Sequence, residues 1–430
     1  MLLGGRFRVV FASTLLFSLL APDAVRAVLG WWGYGVIVST LALTSLVVLS
    51  VGRDRWAIRG LPIPLLAFLL LTTVSIAWSH YPWMSVLGSA TTWATVTGAV
   101  ALAVAIPWDD LLRYLGYVLR TVLGLSLLFE LIVALFVQVP LLPLWYLRHA
   151  ETDTIPALEY WSLANLFHGG KIQGIVGNSN LLGFLALLGV IVFGVQLVDK
   201  RVRMLAGWSS MTAAIAVGLL TRSATVLAAL VVVGFLVVAV SLIRRARNDH
   251  ERANAYIVSG VSASVAVGVV ILFHAPIFDV LDKSSTLSGR VQIWDAVIGL
   301  ASERPWFGWG WISHWAPWVD PLGTLARIDG VYQLQAHNAW LDVWMQLGVL
   351  GLAVFSALVL VTAVRTWWLA IDRRRVRAAS VEPFVALTVL PLLVLAALLV
   401  QSISESRLLV EGGLLLFTLI AAKTKRHELG

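Results

Sequence analysis

Apolar runs of about twenty residues alternate with short polar clusters along almost the whole chain, from Val9 to Ala422. A hydrocarbon core of ~30 Å is crossed by about 20 apolar helical residues. That length, slid along the sequence, predicts about twelve transmembrane helices, at 9–29, 31–51, 61–79, 84–106, 112–139, 178–198, 204–220, 223–243, 255–273, 337–369, 383–402 and 408–422. The expected fold is therefore an all-α polytopic membrane protein, with residues 1–430 forming a single transmembrane domain. Two segments exceed turn length, 140–177 and 274–336, the second with an amphipathic helix around Trp294. Both hold Pro, Gly and many aromatics, unlike a disordered linker, and loops of this length in a compact protein commonly carry function. No internal repeat suggests an inverted-repeat transporter.

Composition agrees with the pattern. Hydrophobic residues make up 59% of the chain and charged residues 13%, about half the charged share of an ordinary soluble domain. The basic residues before 9–29 could be mistaken for the start of a signal peptide. No small-residue cleavage site follows, and Pro22, Asp23 and Arg26 read as a short turn before the next span. The segment is expected to be a first spanning helix.

The formal charge of +8 invites a nucleic-acid reading, but the cations fall between spans rather than on one face, so they report topology. With the N-terminus in the cytoplasm, twenty of the 31 Lys and Arg lie on that side, in seven clusters that run from Arg6 and Arg8 to Lys423, Lys425 and Arg426. Nine lie outside: Arg26, Arg148, Lys171, Arg222, Lys283, Arg290, Arg304, Arg327 and Arg407. Arg120 and Arg365 fall within spans. An even number of spans with both termini inside is expected. With no cysteine in the chain, disulfides, thiolate metal sites and cysteine nucleophiles are excluded.

The outer cations stand against the topology rule and are the first candidates for chemistry. Arg222 lies at a tight outer turn, Arg290 opens a helix that contains Trp294, and His337 begins a span. Such charges either mark a substrate path or snorkel to lipid phosphates, and a lone interfacial histidine can simply bond to backbone. Asp342 lies one turn beyond Asn338, on the same helix face, where it can hold an arginine. Glu130, within a span, and Glu405, beside Ser404 and Arg407, read as members of structural ion pairs; Arg407 is a candidate phosphate contact. Of the 20 tryptophans, Trp306, Trp309, Trp311, Trp315 and Trp318 crowd the second loop. Indoles serve as platforms for sugars and also gather at membrane interfaces; most of these read as interfacial belt.

Arg222 in Thr221-Arg222-Ser223-Ala224, Gly289-Arg290 with Trp294, Pro305 with Gly308-Trp309-Gly310, and His337-Asn338 with Leu341, Gly348 and Gly351 follow one another in an order and spacing that resembles the O-antigen ligase and polymerase superfamily. Gly177-Asn178-Ser179-Asn180 looks like the Gly-Asn-Pro-Asn element of those proteins, with Ser179 in place of Pro. The motifs lie within 177–351, which becomes the expected catalytic region. The resemblance implies a membrane-embedded glycosyltransferase that moves a glycan from a polyprenyl-pyrophosphate donor to a hydroxyl of a glycan or lipid-glycan acceptor during cell-surface polysaccharide assembly. It implies no cofactor, no metal and no nucleic-acid partner, and a place in the bacterial cytoplasmic (inner) membrane with the active site on the outer face.

In that reading Arg222 and Arg290 stabilise the pyrophosphate leaving group, since guanidinium forks pair with phosphate oxygens at any working pH. His337 is the general base, imidazole having an ordinary pKa near ~6.5. Asn338, Arg407, Asn178, Asn180 and Trp294 are the substrate-binding candidates. Single displacement by the acceptor hydroxyl implies inversion. Ligase and polymerase share these motifs and stay open. A transporter or exporter of a small solute or glycan is the alternative; it would place its charges near the bilayer midplane rather than at the outer edge.

Overall fold

The computed structural model describes residues 4–146, 155, 159–272, 284–328, 331–372, 375–377, 380–381 and 384–428. Parts of the two expected loops, 147–154, 156–158 and 273–283, lie outside the described residues, as do Arg148, Lys283, Arg373 and Arg374 of the charge pattern.

The described chain is almost wholly helical. Its helices are α1 (Gly5–Leu20), α2 (Pro22–Val51), α3 (Ile63–Val74), α4 (Pro82–Ala105), α5 (Trp108–Ile132), α6 (Ser179–Val198), α7 (Met204–Leu220), α8 (Ala224–Arg245) and α9 (Asp249–Leu272). They continue with α10 (Ser284–Glu303), α11 (Ala339–Ile371), α12 (Leu390–Ser402) and α13 (Glu411–Glu428). Two short antiparallel pairs, Arg327–Ile328 with Val331–Tyr332 and Arg375–Arg377 with Ser380–Val381, join them.

Among the described residues six helices are long and apolar enough to cross a membrane: α2, α4, α5 with its extension to Val137, α6, α8 and α11. Three further apolar helices, in Ile63–Ala77, Met204–Leu220 and Ala386–Ser402, are shorter. The sequence-based count of about twelve is not reached on length and composition. Helix α1 has 16 residues, and α9 and α13 spend part of their length on the charged stretches 249–252 and 423–428.

Most boundaries fall within a turn of those read from hydropathy. The turn expected over Pro22, Asp23 and Arg26 shrinks to Ala21 (φ −125°, ψ 54°), and those three residues lie inside α2. Proline tolerates the first helical position, and an acidic residue in the first turn suits the helix dipole. A second break comes at Gly30, where φ is 71°.

Helix α6 is the central strut, buried along most of its length and packed on α5, α7, α8 and α12. Gly183 and Gly189 let Thr221 and Val226, and Leu123 and Ala214, approach its backbone, the small-residue packing that membrane bundles favour. The same core has an aromatic part. Phe68 of α3 meets Trp311 edge-on at 5.4 Å and Phe355 of α11 at 5.9 Å, and Phe355 meets Phe417 of α13 at 6.2 Å.

Helix α11 breaks at Gly348, where φ is 67°. The break strips backbone groups of their helical partners, and the segment from Pro305 to Gly310 supplies new ones. Val349 N–H donates to Pro305 O (2.8 Å) and Leu350 N–H to Trp306 O (3.3 Å). In return Trp309 N–H donates to Met345 O (3.0 Å) and Gly310 N–H to Gln346 O (2.9 Å). Gly308 and Gly348 lie so close to the facing backbone that a Cβ on either would overlap it. The glycines of this sequence pattern thus patch a broken helix.

Candidate active site

Three helices begin around one buried carboxylate, and each is entered through a left-handed residue. Gly177 (φ 60°) precedes Asn178, whose Oδ1 caps α6 by accepting Leu181 N–H at 3.0 Å. His337 (φ 49°) precedes Asn338, whose Oδ1 caps α11 by accepting Trp340 and Leu341 N–H at 2.9 and 3.2 Å. Arg222 (φ 49°) precedes Ser223 and α8. A left-handed backbone costs a non-glycine residue roughly 1–2 kcal/mol, so strain is concentrated on Arg222 and His337.

The carboxylate is Glu405, in the turn after α12 and 5% exposed. Its Oε1 accepts from Asn180 Nδ2 and Arg290, each at 3.1 Å. Its Oε2 lies 3.1 Å from His337 Nδ1 and accepts from Gln335 Nε2 at 3.4 Å. Burial pushes the carboxyl pKa up, but the His337 hydrogen bond and charge, then Arg290 and Arg407, outweigh it and hold the group below its usual range.

Asn180 extends the network, its Oδ1 accepting from Ser223 Oγ at 2.9 Å. Arg222, next to Ser223, is exposed, and a Cβ on Gly169 of the first loop would lie 4.0 Å from its guanidinium. Among the described residues no carboxylate pairs with it. Below Asn180 and Glu405 a crevice lined by Phe184, Leu187, Val226 and Ala229 runs down between α6 and α8.

The structure therefore gathers His337, Arg290 and Asn180 on Glu405, with Arg222 one residue from the network. The Oδ1 atoms of Asn178 and Asn338 serve as caps. Arg407 belongs to a second cluster, 3.6 Å from Asp23 and 3.7 Å from Glu411. Glu411 also pairs with Arg26, which is 2.7 Å from Asp23 and lies over the rings of Trp31 and Tyr34. Trp294 is half-buried, one turn beyond Arg290 on α10, and its indole N–H has no partner among the described residues.

Three expectations are corrected. Glu130 forms no ion pair among the described residues; it accepts from Ser162 Oγ (3.0 Å) and the N–H groups of Gln173 (2.9 Å) and Gly174 (2.7 Å), which ties the first loop to α5. Among the described residues Asp342 holds no arginine; it accepts from Trp315 Nε1 (3.0 Å) and Gln346 Nε2 (2.7 Å). Trp309, Trp311 and Trp315 are core residues, and of the five loop tryptophans only Trp306 and Trp318 are exposed.

Residues 209–356 match the family model for O-antigen ligase. This part of the chain resembles the O-antigen ligase family. The family segment contains Arg222, Arg290, Trp294, His337 and Asn338, and also the broken helix with its glycines. Asn178, Asn180, Glu405 and Arg407 lie outside it, so the O-antigen ligase segment and its flanks build the site jointly. No curated protein matches the chain. The apolar helices and the match over 209–356 together indicate a multi-pass membrane protein, and the matched family is one of glycan ligation in polysaccharide assembly.

The sequence singles out His337, Arg222 and Arg290 but gives Glu405 only a structural role and does not mark Gln335 or Glu411. Only an acid flanked by Ser404 and Ser406 at the end of an apolar run hinted at Glu405.

Proposed function

We propose that the protein transfers or polymerises a polyprenyl-pyrophosphate-linked glycan onto an acceptor hydroxyl, with inversion at the anomeric carbon. The observation that carries this reading is the convergence of His337, Arg290 and the Arg222 corner on one buried hydrogen-bonded network at the mouths of three helices.

Each helix N-terminus carries roughly half a positive charge, a setting in which phosphate binds readily. Arg222 and Arg290 add two forks that stay charged and match phosphate oxygens. The site thus stabilises negative charge where it develops, on the departing pyrophosphate. The acceptor oxygen attacks the anomeric carbon, the bond from that carbon to the pyrophosphate oxygen breaks with its electron pair, and the acceptor proton passes to His337. Polyprenyl pyrophosphate and the extended or transferred glycan are the products.

The same reading places the chain in the bacterial inner membrane with twelve spans, both termini cytoplasmic and the site on the outer face, in keeping with the basic inner clusters. The short helices α1 and α7, together with α9, α12 and α13, would then cross with the help of neighbours, and the lipid-linked donor would enter from the bilayer.

The test is His337→Ala, purified and compared with the unmodified chain on a polyprenyl-pyrophosphate oligosaccharide. The variant is expected to stay folded and to lose transfer by about 100-fold or more. Near-normal product would remove His337 as the base.

A further inference from the structure

We propose that Glu405 is the positioning residue for His337: it holds the imidazole with the proton on Nδ1 and leaves Nε2 as the nitrogen that takes the acceptor proton. The inference rests on the reading of His337 as base and adds to it the tautomer, the reacting atom and the residue that sets both.

The contact is direct, 3.1 Å from His337 Nδ1 to Glu405 Oε2. Glu405 is 5% exposed, and its other oxygen is held by Asn180 and Arg290, so the carboxylate is a fixed point rather than a mobile surface group. Three cationic or amide donors converge on it, an environment suited to the ionised form. An ionised carboxylate only accepts hydrogen bonds. The proton between the two groups therefore sits on Nδ1, and Nε2 carries the lone pair.

His337 is constrained from the other side as well. Its left-handed backbone (φ 49°) is pinned between the fully buried Ala336 and the capping Asn338. With the main chain fixed and one ring nitrogen tied, Nε2 points in one direction only.

The proton balance is simple. As the acceptor oxygen bonds to the anomeric carbon, its proton moves to Nε2, and Nδ1–H stays bonded to Glu405. The imidazolium so formed faces a carboxylate, which stabilises it, and the proton later leaves from Nε2 to water. Arg290 on Oε1 links the base to the phosphate-binding side of the site.

The test uses the full-length protein with a polyprenyl-pyrophosphate oligosaccharide, across pH, for wild type, Glu405→Gln, Glu405→Asp and His337→Ala. Glu405→Gln is expected to lower kcat by about tenfold or more, with the donor KM changed much less, and to move the acid limb of kcat to lower pH, because an amide no longer favours the protonated imidazole. Glu405→Asp is expected to restore part of both. An acid limb that stays in place in both variants, with changes only in KM or thermal stability, would reduce Glu405 to a structural partner of Arg290. If neither variant folds, ¹⁵N-histidine NMR of the wild type decides: an Nδ1–H tautomer for His337 supports the proposal and an Nε2–H tautomer overturns it. Activity retained by His337→Ala would be a different failure, that of the base itself.

Discussion

Ser223 Oγ donates to Asn180 Oδ1 at 2.9 Å, and this bond ties the corner that carries Arg222 to the first turn of α6. Because Asn180 also donates to Glu405, one amide joins the corner that carries Arg222 to the carboxylate that contacts His337. Asn180→Ala should therefore disturb Arg222 and Glu405 together. Hydrogen bonds to charged groups contribute about 1.5–3 kcal/mol, so transfer is expected to fall by about tenfold or more. Initial rates with a lipid-linked oligosaccharide check this; an unchanged rate would mean that the bond does not place Arg222.

Glu405 sets a pH dependence of stability. Its folded pKa is depressed, so its stabilisation is present in full above the ordinary carboxyl range and is lost as pH falls through the folded value. Thermal melts in detergent from pH 7 to pH 3 should show the advantage of wild type over Glu405→Gln shrinking in acid. An advantage independent of pH would contradict the assignment.

The patched break in α11 depends on glycine. A Cβ at Gly348 would overlap the Trp306 carbonyl group, and one at Gly308 the Gln346 carbonyl group, while φ at both is left-handed. Gly348→Ala or Gly308→Ala should cost about 2 kcal/mol or more. Gly234→Ala, with open space around its Cβ, is the control and should be neutral or mildly stabilising. Melting temperatures separate the two outcomes.

Glu130 anchors the first loop. Glu130→Ala would leave the N–H groups of Gln173 and Gly174 without their acceptor, at about 1–3 kcal/mol each. Limited proteolysis should then cut near residues 165–175 faster than in wild type. Equal cutting rates would show that the loop is held by other contacts.

Much of this architecture is legible in the sequence, because membrane helices follow from hydropathy and length. Helix α7 spans Met204–Leu220 in the structure, the same bounds that hydropathy gives. The stretch after Leu20 shows the limit: proline and acidic residues mark helix starts as well as turns, so a one-residue break at Ala21 reads as a longer turn, and Gly30, the second break, looks like any glycine in an apolar run. The chemistry divides in the same way. Arg222 and Arg290 stand out because the expected topology sets them against the positive-inside rule, and His337 because it begins a span. Glu405 does not, because its partners lie 225, 115 and 68 residues away in sequence and only the packing of α6, α10, α11 and α12 brings them together. Trp309, Trp311 and Trp315 were misread since an indole in an aromatic loop has the same composition whether it faces lipid or core.

Glycosyl transfer from a lipid pyrophosphate is open to a direct check by reconstitution. Purified protein in lipid vesicles would be supplied with a polyprenyl-pyrophosphate oligosaccharide and an acceptor glycan, and both products would be followed by mass spectrometry with the anomeric configuration read by NMR. The account predicts polyprenyl pyrophosphate and a transferred or longer glycan in equal amounts, with an inverted linkage. Movement of intact donor or free solute across the vesicle, with neither product formed, would contradict it.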